Sequence, residues 1–119
     1  MTEGDGRGSS EAGPGGDRRE SPRLPVRLMV REVALGGSFD ERPGNLALSG
    51  AYFTQGHPPE GGRVELRFLL PGRRAEVRVA GEVLGVDQDG EAFGVHVRFV
   101  DLPLEDELAI ARLLQEATR

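Results

Sequence analysis

AEVRVAGEVLGV, residues 75–86, alternates apolar and polar side chains over a dozen positions. Val77, Val79 and Val83 fall on one side, as in a half-buried strand, and Gly81 takes an inward position where a tight barrel bends. The stretch before it, RVELRFLL (residues 63–70), has the same period: Val64, Leu66, Phe68 and Leu70 face inward, and Glu65 and Arg67 outward. Further out, PVRLMVREVA (residues 25–34) sets Val26, Leu28 and Val30 against Arg27, Met29 and Arg31, while VHVRFV (residues 95–100) puts Val95, Val97 and Phe99 on one face. NLALSGAYF (residues 45–53) reads as two short extended pieces hinged at Ser49-Gly50.

The connections are rich in turn residues. SFDERPG (38–44), TQGHPPEGG (54–62), Pro71-Gly72 and DQDGEAFG (87–94) separate the strands. One helix is expected, over residues 104–117 of LEDELAIARLLQEATR. Leu104, Leu108, Ala111 and Leu114 form an apolar stripe of helical period, widened by Ile110 and Leu113. Glu105, Asp106 and Glu107 occupy its first turn, where the macrodipole favours negative charge. The predicted fold is mainly β: a small six-stranded antiparallel barrel with one C-terminal α-helix covering an end or side.

Residues 1–17 combine Gly, Ser and acidic side chains without hydrophobic period, so a disordered leader is expected there and the barrel domain over 18–119. The 119 residues allow a single core of mainly Val and Leu, because Trp is absent and the aromatics are five Phe and one Tyr. With no Cys, disulfides, thiol nucleophiles and thiolate metal sites are excluded. MTEGDGRGSS lacks the apolar run of a signal, and no stretch approaches the ~20 apolar residues of a membrane span. A cytoplasmic protein without membrane attachment is expected.

The net charge of −5 is unevenly spread. The leader carries Glu3, Asp5, Glu11 and Asp17 against Arg7; residues 18–31 carry Arg18, Arg19, Arg23, Arg27 and Arg31 against Glu20 alone. A duplex-DNA binder needs a broad basic footprint, so DNA and RNA are not expected partners. A small anionic ligand held by a few arginines fits better, since the guanidinium recognises phosphate bidentately and stacks on flat rings.

Catalytic groupings are sparse. His57 lies in a Pro-rich loop and His96 on the outward face of a strand, without metal-ligand spacing. No nucleophile elbow, paired-acid arrangement or phosphate loop is present. The chain reads as a non-enzyme without metal or cofactor.

The blocks in their order resemble the PilZ domain: a basic RxxxR segment before a strand starting Pro-Val, then NLALSGAYF, VELRFLLPG, AGEVLGV, FGVHVRF and an acid-led closing helix. The resemblance covers residues 18–119. It implies a bacterial six-stranded barrel and, as in many members, a receptor for the second messenger cyclic di-GMP. The family's RxxxR motif falls on Arg19 and Arg23, with Arg18 as the usual extra basic neighbour. Its (D/N)xSxxG motif falls on Asn45, Ala47 and Gly50, with Ala47 in place of serine.

The resemblance implies that Arg18, Arg19 and Arg23 clasp phosphates and guanine edges, that Asn45 bonds a guanine edge, and that Gly50 permits a backbone bend. Ala47 removes one hydroxyl contact. The implied output is a changed surface for an unidentified effector protein in processes such as motility, by a monomer or homodimer with no output domain of its own. Two alternatives stand beside this. One is a degenerate PilZ adaptor that no longer binds the dinucleotide and works through Leu69, Leu84 and Val86 or the closing helix. The other is a barrel for single-stranded nucleic acid, which needs exposed aromatics; here Phe68 and Phe99 point inward, leaving Tyr52 or Phe53.

Overall fold

The computed structural model describes residues 23–117; the leader, Arg18 and Arg19 lie outside the described residues. Six strands and one helix follow in order: β1 (Leu24–Glu32), β2 (Asp40–Leu46), β3 (Gly50–Gln55), β4 (Arg63–Phe68), β5 (Val77–Asp89), β6 (Ala92–Val100) and α1 (Leu104–Ala117). All strand pairs are antiparallel. They close in the order β1-β2-β3-β6-β5-β4, so that β1 meets both β2 and β4. Closure gives every strand a partner on both sides over part of its length, which shortens the edges open to another chain.

The alternation dictates the core. Leu28, Val30, Val64, Leu66, Phe68, Val77, Val79, Val95, Val97 and Phe99 are all buried, as their period requires, and Leu46 and Phe53 join them. Burying one such side chain fully contributes roughly 1.5–3 kcal/mol, so this cluster is the main source of stability. Phe68 and Phe99 stack with ring centres 6.1 Å apart.

Three boundaries differ from those the sequence suggests. β2 starts at Asp40, inside the stretch read as a connection, because Asp40 to Leu46 pair with β1 although half of them are polar. β5 and β6 run on to Asp89 and back from Ala92 around a two-residue turn, with Gly90 at φ 64. This hairpin extends into solvent, so it lacks the apolar alternation that marks a core strand. The helix is also turned about its axis. Ile110 and Leu114 are buried, whereas Leu104 and Leu108 are 67% and 57% exposed. Asp106 is drawn inward instead, its carboxylate 3.2 Å from the Arg73 guanidinium in the β4–β5 connection. Apolar residues cover so much of this helix that its period alone permits either face; the ion pair and the bulk of Ile110 and Leu113 select one.

The inward face of β1 ends on a carboxylate. Glu32 follows Leu28 and Val30 into the interior and is 7% exposed. It accepts hydrogen bonds from Gln55 Nε2 at 3.1 Å and from the Glu60 backbone N–H at 2.6 Å, and its Oε2 lies 2.8 Å from His57 Nε2. Burial pushes its pKa upward, but the donors outweigh this and hold it below the ordinary carboxylate value. His57 is thereby a structural partner that ties the β3–β4 loop to β1.

Candidate functional site

Antiparallel pairing of β1 with β2 sets Leu24 opposite Leu46 and Pro25 opposite Asn45. Leu46 enters the core, so Asn45 projects outward. Arg23 Nη1 donates a hydrogen bond to Asn45 Oδ1 at 3.1 Å. Among the described residues the guanidinium meets no carboxylate, and its hydrogen bond goes to a neutral amide. The nearby cations are committed elsewhere: Arg27 to Glu41, and Arg98 to Glu82, whose pKa is lowered by that hydrogen bond and charge.

Ala47, Leu48 and Ser49 form the corner between β2 and β3. The Ala47 N–H donates to the Gly50 carbonyl at 2.8 Å, and the Phe99 N–H donates to the Ser49 carbonyl at 2.9 Å, which fixes the corner against β6. Gly50 is required by close approach rather than by a bend, since a Cβ there would sit 2.1 Å from the Val97 carbonyl oxygen. Gly50→Ala is therefore expected to destabilise the fold by about 1–3 kcal/mol through overpacking. Urea denaturation checks this; an unchanged midpoint would show that β3 and β6 separate freely.

Thus Arg23, Asn45, Ala47 and Gly50 share one corner, while Arg18 and Arg19 lie outside the described residues. The structure adds a neighbour that the motifs do not name. Tyr52, on β3, is the cross-strand partner of Asn45 on β2 and of His96 on β6. Its ring centre lies 4.7 Å from that of His96, whose Nε2 is 2.8 Å from an Asp87 carboxylate oxygen. Alternation between buried Ala51 and Phe53 is the signal that points Tyr52 to this surface. Phe53 is wholly buried, so Tyr52 is the aromatic beside the corner. A shallow hollow of about 540 Å³ continues along β1 and β2 past Pro25 and Gly44.

Chemically the corner offers the Arg23 guanidinium, the Asn45 amide and, on the next strand, the Tyr52 ring. Groups of these kinds suit a flat polar anion. His57 and His96 pair with single carboxylates on different elements, and no group of three His, Asp or Glu among the described residues is placed to hold a metal ion. No helix among the described residues is long and apolar enough to cross a membrane.

No curated protein matches the sequence. Among solved structures, the barrel is similar to that of the Bacillus subtilis inhibitor of motility MotI/DgrA, with TM-score 0.68 and 13% identity over 86% of this chain and 52% of that one. The chain thus spans about half the length of that protein, and the likeness is one of fold. The model of the PilZ domain matches residues 17–116, from the arginine segment through the closing helix. With all six strands and nearly all of the helix inside that match, the chain belongs to the PilZ domain family.

Proposed function

We propose that this protein is a receptor for cyclic di-GMP, bound against the Asn45–Gly50 corner and gripped by the arginines that precede β1. The observation that carries the reading is the position of Arg23: its guanidinium lies on Asn45 and meets no carboxylate among the described residues, so a phosphate or guanine edge at the corner is within its reach. Arg19 and Arg18 precede it on the same tether and add the remaining grip. Asn45 offers a guanine edge its amide, and Tyr52 supplies apolar surface beside it. Ligand closure of the arginine segment over the corner alters the surface there, and an effector protein reads that change. The motility role in the structural neighbour's title extends to this chain only as a proposal for the process controlled.

Calorimetry with cyclic di-GMP tests this reading, and saturable heat at tens of micromolar is the expected result. Absence of heat would favour the second reading, a PilZ adaptor that has lost its ligand, for which Ala47 at the motif's serine position speaks. A neutral hydrogen bond contributes roughly 0.5–1.5 kcal/mol, so Ala47→Ser is expected to tighten binding by about tenfold or less. Unchanged affinity in that variant would place the ligand away from residue 47.

A further inference from the structure

The wall opposite the corner carries a second cationic surface. The corner lies on β2 and β3, and the closed strand order sets β5 and β4 across the barrel from them. There Arg67 and Arg78 are direct cross-strand partners. Like charges so placed work against sheet pairing in the free protein. Among the described residues no carboxylate pairs with Arg67; its guanidinium lies 4.2 Å from the Phe39 ring centre, which Arg31 also covers at 4.7 Å. Arg31 is bonded to Glu65, and Arg78 Nε is 3.4 Å from a Glu76 carboxylate oxygen on its own chain segment. Arg31, Phe39, Arg67 and Arg78 line an open hollow of about 280 Å³ in which Glu65 is the one acidic side chain. The hollow is therefore positive on a protein whose net charge is −5.

Phe39 matters because it holds the Arg67 guanidinium in one plane, so less side-chain freedom is lost when an anion arrives. We propose that this hollow docks an acidic peptide segment of a protein partner, with a carboxylate seated between Arg67 and Arg78. Bidentate guanidinium–carboxylate pairing supplies the recognition, and it relieves the repulsion between the two arginines. A nucleic acid backbone fits poorly, because Glu65 and Glu76 border the site and the basic footprint is small. The surface deepens the receptor reading by naming where a partner sits. It nevertheless stands without the dinucleotide, because none of Arg23, Asn45, Ala47 and Gly50 lines the hollow.

The test is fluorescence anisotropy of a labelled octaglutamate peptide with the full-length protein at low salt, without and with cyclic di-GMP. Saturable binding is expected in both cases, weakened at least about tenfold by Arg67→Glu with Arg78→Glu and unchanged by Arg112→Glu on the exposed helix face. Arg78→Gln alone removes the like-charge pair across β4 and β5 at the cost of one exposed ion pair, so its Tm should stay within roughly 2 °C while peptide affinity falls, which separates lost docking from lost folding. Equal affinity in the double variant, or no binding by the wild type, overturns the proposal. Pyrophosphate binding without peptide binding overturns it in favour of a small-anion site. Peptide binding that appears only when Glu3, Asp5, Glu11 and Asp17 are changed to their amides overturns it in favour of the chain's own leader as occupant. Loss of nucleotide heat with peptide binding intact would remove the receptor reading alone.

Discussion

Replacing Arg19 and Arg23 together with alanine is expected to eliminate measurable cyclic di-GMP binding while leaving the fold intact. A hydrogen bond to a charged group contributes roughly 1.5–3 kcal/mol, so each guanidinium accounts for about ten- to 150-fold in affinity and the pair for several hundredfold or more. Arg23 is exposed and holds only the Asn45 side chain among the described residues, so its loss removes no core contact. Calorimetry and a thermal melt on the same sample separate the two effects. Arg23→Ala alone should weaken binding by at least about tenfold, because it deletes the guanidinium already bonded to Asn45. Wild-type affinity in the double variant would mean that the dinucleotide is held elsewhere.

The second large effect is on stability. Glu32→Ala is expected to lower the free energy of unfolding at pH 7 by about 2–4 kcal/mol, since it strands a backbone donor and releases the His57 loop. Gln55 Nε2 keeps one acceptor, the His57 carbonyl at 2.8 Å, which limits the loss. The pH dependence follows from the direction of the shift. The Glu32 pKa lies below 4.5 in the folded protein, so its stabilisation is complete above the unfolded-state value and disappears as pH falls through the folded-state value. The difference between wild type and variant, measured by urea denaturation, should therefore shrink as the pH drops below about 4.5. A difference that stays constant down to pH 3 would mean that packing, not the carboxylate's charge, carries the effect.

Both effects involve residues that the sequence exposes unequally. Residues 75–86 and 63–70 announce their strands because each has one dry and one wet face, and the period of two is then written in side-chain polarity. Where a strand has no dry face, that record is missing. Gln88 and Asp89 pair beyond the core, and Asp40 to Arg42 are held by β1 rather than by burial. Glu32 misleads in the opposite sense: its position belongs to the interior, yet a buried carboxylate is legible only once its three donors, drawn from residues 55–60, are placed around it. The helix fails for a related reason, as Asp106 is inward only because Arg73, on a loop 33 positions away, meets it there.

The corner was more accessible to sequence reasoning than its surroundings. Asn45, Ala47 and Gly50 stand within six residues, and their spacing survives folding because the loop they form is closed by its own backbone. The contact between Arg23 and Asn45 depends on the β1–β2 register, which no local pattern specifies. Tyr52 comes from the same register, one strand further on. The pairing of Arg67 with Arg78 is likewise a product of barrel closure, joining positions that read separately as ordinary outward arginines.

The proposed function is tested most directly by where a purine dinucleotide binds, the expected place being the corner between β2 and β3 beside Arg23. Amide chemical shifts of the isotope-labelled protein, followed during a cyclic di-GMP titration, report on place directly. Saturable shifts concentrated at Arg23, Asn45, Ala47, Gly50 and Tyr52, with Arg67 and Arg78 unmoved, are the predicted result. Shifts confined to β4 and β5, or none at any concentration, would contradict it.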